Sequence, residues 1–233
     1  LIVNSTITMS GGRLFFVEGR DPDLKSADAR RLNSSDFWRD QFLVAIDAAT
    51  GEMLWETPLD TVDGTAVFFM AHGGDKLVIV ASSSGKFHAY ALADDSGKLL
   101  WEVEFPWGAE GKADHGSHLS RPAIVGDRLF VRPAVIDLQS GEILDQRIPE
   151  GKCGTYACTQ HALFYRGHPG ARFAMWSADD NQYSLWDRLR PDCWLSSIPA
   201  GGMLLSPEGG GGCSCGSWME TSIGFIPKVH LEQ

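Results

Sequence analysis

Ala45-Ile-Asp-Ala-Ala-Thr-Gly-Glu-Met-Leu-Trp55 decides the fold, because the chain returns to it twice. A second copy is Ala91-Leu-Ala-Asp-Asp-Ser-Gly-Lys-Leu-Leu-Trp101, and a third is Val135-Ile-Asp-Leu-Gln-Ser-Gly-Glu-Ile-Leu-Asp145, without the final Trp. The glycines at 51, 97 and 141 set spacings of 46 and 44 residues. A period of that length is the mark of a propeller or solenoid, built from units that cannot bury their apolar faces alone. Each copy reads as strand, tight turn, strand: an apolar run, an Asp/Thr/Ser-Gly turn, then alternating residues.

Laid along the rest of the chain, this ruler predicts five units, at about 7–59, 65–105, 116–149, 153–199 and 201–227. The first starts at the strand Arg13-Leu-Phe-Phe-Val17 and carries a polar insertion, Gly19 to Asp40, with a turn of helix expected at Ser35–Gln41. Strands of the second are expected near Ala66–Ala71, Lys76–Ala81, Phe87–Leu92 and Leu99–Phe105. The third is short, since Arg128-Leu-Phe-Val131 runs almost directly into Ala134-Val-Ile136. The fourth keeps strand-like runs, Ala162-Leu-Phe-Tyr165 and Phe173-Ala-Met-Trp176, but reads as having lost the Gly-turn-Trp signature. No segment sustains helical periodicity, so the class is all-β.

The pattern Ala-x-Asp-x-x-Thr-Gly-x-x-x-Trp resembles the repeat of the PQQ-like β-propellers, also called quinoprotein or tryptophan-docking propellers. The first copy matches throughout; the second has Ala93 and Ser96 where Asp and Thr are usual. The resemblance implies four-stranded antiparallel blades, with Trp55 and Trp101 packed between neighbours as apolar staples worth roughly 3–5 kcal/mol each. It also implies rings of seven or eight blades. Five blades beginning at Leu1-Ile-Val are therefore expected to be the C-terminal portion of a larger protein, with another chain or domain completing the ring and covering bare strand edges. The stretch from Arg190 to Glu208, followed by Gly209–Gly212, is similar to the ending of large bacterial proteins with this propeller.

Composition narrows the partners. Apolar residues make up 43% of the 233, ample for a core, and no apolar run reaches the ~18–20 residues of a membrane helix. A formal charge of −10 argues against nucleic acid, which selects a basic face. Cys153, Cys158, Cys193, Cys213 and Cys215 lack both a haem-attachment motif and the two-pair zinc spacing. They read as structural cysteines, with Cys153–Cys158 and Cys193 with Cys213 or Cys215 as disulfides of a periplasmic or extracellular protein.

Candidate chemistry gathers before the third unit. Asp114-His-Gly-Ser-His118 places Asp114, His115 and His118 in a loop at one end of the blades, where the histidines are the metal candidates. His161 and His168 are expected at comparable places in the fourth unit. Arg121, Arg132, Arg166 and Arg190 recur near strand ends, a set that suits an anionic ligand in the propeller funnel. Hydrogen bonding within loops and between blades is the competing role for these side chains. Three functions follow: a non-catalytic binding or scaffold propeller, a PQQ-dependent oxidoreductase, or a His/Arg enzyme acting on an anionic substrate. The resemblance brings PQQ and calcium as cofactors, for which Asn181, Asp192 and Glu208 are the available side chains, at spacings that match no signature. The absence of an adjacent Cys-Cys pair favours the scaffold.

Overall fold

The computed structural model describes residues 1–22, 39–59, 67–83, 85–107, 121–147, 156–166, 172–187, 189, 191, 195–209 and 221–226. The chain divides into two compact units, Leu1–Lys112 with Asp137–Glu142, and Ala113–Ile136 with Ile143–Gln233. The first unit opens with a 3₁₀ turn at Asn4–Thr6, then the sheet β1 (Thr8–Ser10), β2 (Arg13–Gly19), β3 (Gln41–Asp47) and β4 (Met53–Leu59), hydrogen-bonded in that order. Its second sheet is β5 (Val67–Gly73), β6 (Lys76–Ser83), β7 (Lys86–Ala93) and β8 (Leu99–Pro106), again in chain order.

The second sheet pair in the chain repeats this meander. β9 (Ala123–Val125), β10 (Arg128–Val131), β11 (Ala134–Asp137) and β12 (Ile143–Arg147) form one sheet, and β13 (Ala157–Cys158), β14 (Ala162–Arg166), β15 (Phe173–Ser177) and β16 (Tyr183–Trp186) the next. β17 (Ile198–Ala200), β18 (Met203–Ser206) and β19 (Ile223–Phe225) give a three-stranded sheet among the described residues. These are the blades of an all-β propeller; the last sheet starts at Ile198, within the span 153–199 expected for the fourth unit. Of the helical turn expected at 35–41, only the last three residues are described; Asp40 has φ 51° and Gln41 already opens β3.

Burial explains why the blades hold as sheets. β6 is buried along its whole length, so it carries an unbroken Leu-Val-Ile-Val-Ala run in place of alternation. Leu77, Ile79 and Ala81 pack with Phe15, Val17 and Leu43 into one core of the first unit. Phe130, Val135, Leu163, Tyr165 and Trp176 do the same in the second. The last strands β4 and β8 alternate instead, as half-exposed outer strands do.

Candidate functional site

The recurring turns have one backbone geometry. Gly51, Gly97 and Gly141 take φ of 76°, 69° and 78°, a region that glycine enters without steric cost. Their amides donate to the carbonyls of Asp47, Ala93 and Asp137. Asp47 Oδ1 also accepts from the amides of Ala49 and Thr50, and Asp137 Oδ1 from those of Gln139 and Ser140. Those bonds hold both carboxyls below their ordinary pKa. The second copy forms the same turn from backbone bonds with Ala93 in the Asp position. The fourth unit lacks the signature, with Asn181 in the glycine place and Leu185 four residues on, but keeps part of the turn's geometry. There Asn181 takes φ 57° in the glycine place, Ser177 donates its amide to the Gln182 carbonyl, and Asn181 Oδ1 accepts from Trp176 Nε1 at 2.9 Å. Asn is the residue, after Gly, that most readily occupies this conformation.

Each indole of the repeat lies over the next glycine. A methyl group on Gly97 would stand 2.6 Å from Trp55 Cζ3, and one on Gly141 would stand 2.7 Å from Trp101 Cδ2. Trp101 Nε1 donates to the Leu138 carbonyl at 3.1 Å, whereas the buried Trp55 Nε1 has no hydrogen-bond partner among the described residues. A second fastening runs beside the first. Arg13, opening β2, donates to the Asp94 carbonyl and to its Oδ2, which also contacts His72 Nε2 at 2.9 Å. Lys76, opening β6, reaches Gln139 Oε1 at 2.7 Å. These cations escaped the sequence reading: Arg13, Lys76 and Arg128 each open the second strand of a blade, but at spacings of 63 and 52 residues that depart from the period of the turns.

The predicted ligand set falls only in part within the described residues. Asp114, His115, His118, His168, Arg190 and Asp192 lie outside the described residues, as do Cys153, Cys193, Cys213 and Cys215. Arg121 is exposed just before β9. Arg132 and Arg166 occupy matching places, at the ends of β10 and β14, and are only 5% and 8% exposed. All three arginines are engaged with neighbours in the fold. The Arg132 guanidinium sits 5.5 Å from the Tyr156 ring centre, and that ring meets Tyr165 edge-on at 5.6 Å. The Tyr165 hydroxyl is buried without a hydrogen-bond partner among the described residues, and burial followed by the neighbouring Tyr156 pushes its pKa up. His161 is not at the arginine end. It precedes β14, at the opposite end of that strand from Arg166, and its Nδ1 meets Asp179 Oδ1 at 3.0 Å on the surface. Cys158 carries a free thiol, so the expected bridge to Cys153 is not formed. Its Sγ points at the Ile124 carbonyl, 3.9 Å away, and burial raises its pKa.

The family model described as outer membrane protein assembly factor BamB matches residues 39–158, just over half of the chain and the span of the repeats. The chain belongs to the PQQ-like propeller family. Among solved structures it is similar to BamB from Moraxella catarrhalis, at 15% identity and TM-score 0.52, covering 88% of this chain and 55% of that one. It is also similar to the C-terminal WD40 domain of Sif2, at 11% identity and TM-score 0.50, covering 89% of this chain and 56% of that one. The chain thus spans little more than half the length of either propeller. Comparison with curated proteins gives no match.

The side chains that a PQQ-like propeller would need for calcium and quinone fit poorly. Asn181 gives its amide oxygen to Trp176, and Glu208 is exposed with its own amide donating to Ser222. Among the described residues no cluster of three or more His, Cys, Asp or Glu is placed to hold a metal. One constellation has the order of a charge relay: Ser83 Oγ to His88 Nε2 at 3.2 Å, and His88 Nδ1 to Glu104 Oε2 at 3.6 Å, with Lys86 also on Glu104. Ser83 is 3% exposed, so no acyl carbonyl reaches it, and the trio is a strut across β6, β7 and β8. Burial, ahead of Lys86 and against Glu104 and Glu102, holds His88 below its ordinary pKa of 6.5. Below that pH the unfolded chain takes up a proton that the folded chain resists, so this histidine removes stability as pH falls. Urea midpoints from pH 7.5 to 5 should therefore fall less steeply in His88→Gln than in the parent. Equal slopes would refute the assignment.

Proposed function

We propose that the chain is a non-catalytic binding and scaffold propeller of a secreted or periplasmic bacterial protein, whose ring of blades is completed by another chain or domain. One observation carries the reading. Gly97 and Gly141 are each covered by an indole from the preceding blade, whereas among the described residues nothing lies within 4 Å of the point where a side chain would leave Gly51. The turn there has the positive φ and the backbone bond of the covered ones, so it has the shape to seat the same partner. An incoming blade that bears a Trp four residues after its own turn glycine has the matching part. Membership of a family whose model describes an outer membrane assembly factor supports the setting. Among the described residues no helix is long and apolar enough to cross a membrane.

Native mass spectrometry of the protein isolated from its source tests the proposal. The expected result is a mass above that of the 233-residue chain, falling to the chain mass in Gly51→Asn. Asn181 shows that this turn accepts Asn at positive φ, so the variant keeps the blade and blocks the seat. A bare-chain mass for the parent, or an assembly indifferent to the substitution, would overturn the reading. Reduction of an electron-accepting dye after addition of quinone and calcium would overturn its non-catalytic part.

A further inference from the structure

The first unit contains a cavity of about 440 Å³ between β4 and one face of β6, β7 and β8. That volume falls in the roughly 300–1,000 Å³ range of ligand sites. Strand register fixes its floor. Leu92 stands opposite Leu99, and the neighbouring row on that face runs Ile79, Tyr90, Glu102. Leu59 closes the cavity from β4. Lys98 directly precedes β8, its carbonyl held by the Ala93 amide. The walls are thus largely aliphatic, and the charged groups of the lining are Lys98 and Glu102, both exposed.

Those two charges choose the occupant. Arg13, Arg20, Lys76 and Lys86 each pair with a carboxylate of the first unit. Among the described residues Lys98 forms no ion pair, and neither does Glu102. A neutral guest would leave both charges idle, and a singly charged one would meet attraction and repulsion together. We infer that the cavity binds an apolar zwitterion of dipeptide size, with its ammonium toward Glu102 and its carboxylate toward Lys98. The two residues lie three rungs of β8 apart, about 10 Å along the strand. A dipeptide spans about 7 Å, so each of its ends comes within reach of one flexible side chain. A free amino acid carries its charges too close together, and an internal peptide segment carries neither. Burial of the guest's side chains against the leucines supplies affinity, and the charge pair supplies selectivity. The site makes no use of the Gly51 turn, so either proposal can fail without the other.

Isothermal titration with L-leucyl-L-leucine and two neutralised forms of it tests the assignment. L-leucyl-L-leucinamide lacks the carboxylate, and N-acetyl-L-leucyl-L-leucine lacks the ammonium. The free dipeptide is expected to bind one to one, and each neutralised form at least about threefold more weakly. Lys98→Met should abolish the preference over the amide and keep the preference over the acetyl form. Glu102→Gln should do the reverse. Leu99→Asp, which makes a half-exposed wall polar, should weaken all three probes about tenfold. The three replaced residues are exposed, and matching thermal melts would confirm that the blades are intact. Three results would overturn the inference. One is no saturation by about 1 mM dipeptide, the weakest binding worth calling a site. Another is equal affinity for the three probes. The last is a preference among them that survives both charge substitutions, which would put the binding elsewhere on the chain.

Discussion

Trp101→Ala is expected to lower the unfolding free energy by about 3–5 kcal/mol, the largest single effect in the chain. The substitution strips the ring from Gly141 and also removes the Nε1 donor from the Leu138 carbonyl. Trp55→Ala should cost about 3 kcal/mol, nearer the low end, because the ring contact with Gly97 is lost but no hydrogen bond is. The phenylalanine variants separate the two contributions. Both phenylalanine variants lose part of the indole over the glycine, and Trp101→Phe should lose about 1 kcal/mol more than Trp55→Phe, since only Trp101 Nε1 has a hydrogen-bond partner among the described residues. Urea unfolding of the four variants measures all of this. Losses under about 1 kcal/mol in both alanine variants would mean that the indoles rest on the next turn without holding it.

Asparagine placed at the three turn glycines gives the second large contrast. At Gly97 and Gly141 the first side-chain carbon would enter an indole, at 2.6 and 2.7 Å, so either the ring or the turn must move. A cost of about 2 kcal/mol or more is expected at each, the range of an overpacked contact. Gly51→Asn meets open space and a conformation that Asn181 already adopts, so it should cost less than about 1 kcal/mol in the isolated chain. Three equal losses would trace the effect to backbone strain and remove the indoles from the explanation. Gly51 and Gly141 make the cleaner pair, since both turns carry the Asp bonds that the Gly97 turn, with Ala93, lacks.

The blades were legible because a period survives moderate substitution. The turn needs one residue at positive φ and a carbonyl four residues back, so it persists with Ala93 for Asp. The fourth unit keeps the positive φ, at Asn181, and the bond from the Ser177 amide to the Gln182 carbonyl, without the letters of the motif. The ligand set was less legible, since an arginine at a strand end has the same letters whether it faces solvent or lies buried. Arg132 and Arg166 are buried and engaged, and Arg132 stacks on Tyr156, a residue with no special mark in the sequence. His161 was misplaced because a short turn, with Thr159 accepting from the amides of His161 and Ala162, puts it at the beginning of its strand. Spacing in a repeat reports the order of strands well and the end of a strand poorly.

The lean of each indole onto the following turn gives the array a direction. A blade offers a ring on one side and a bare glycine on the other, so the two sides are different surfaces. Two copies that met through this contact could not do so by a two-fold axis, because ring would face ring and hollow would face hollow. Only head-to-tail addition satisfies it, and such contacts either close into a circle or continue as a filament. Both repeat indoles, Trp55 and Trp101, are already seated on Gly97 and Gly141, so a ring for the turn at Gly51 has to come from a different blade.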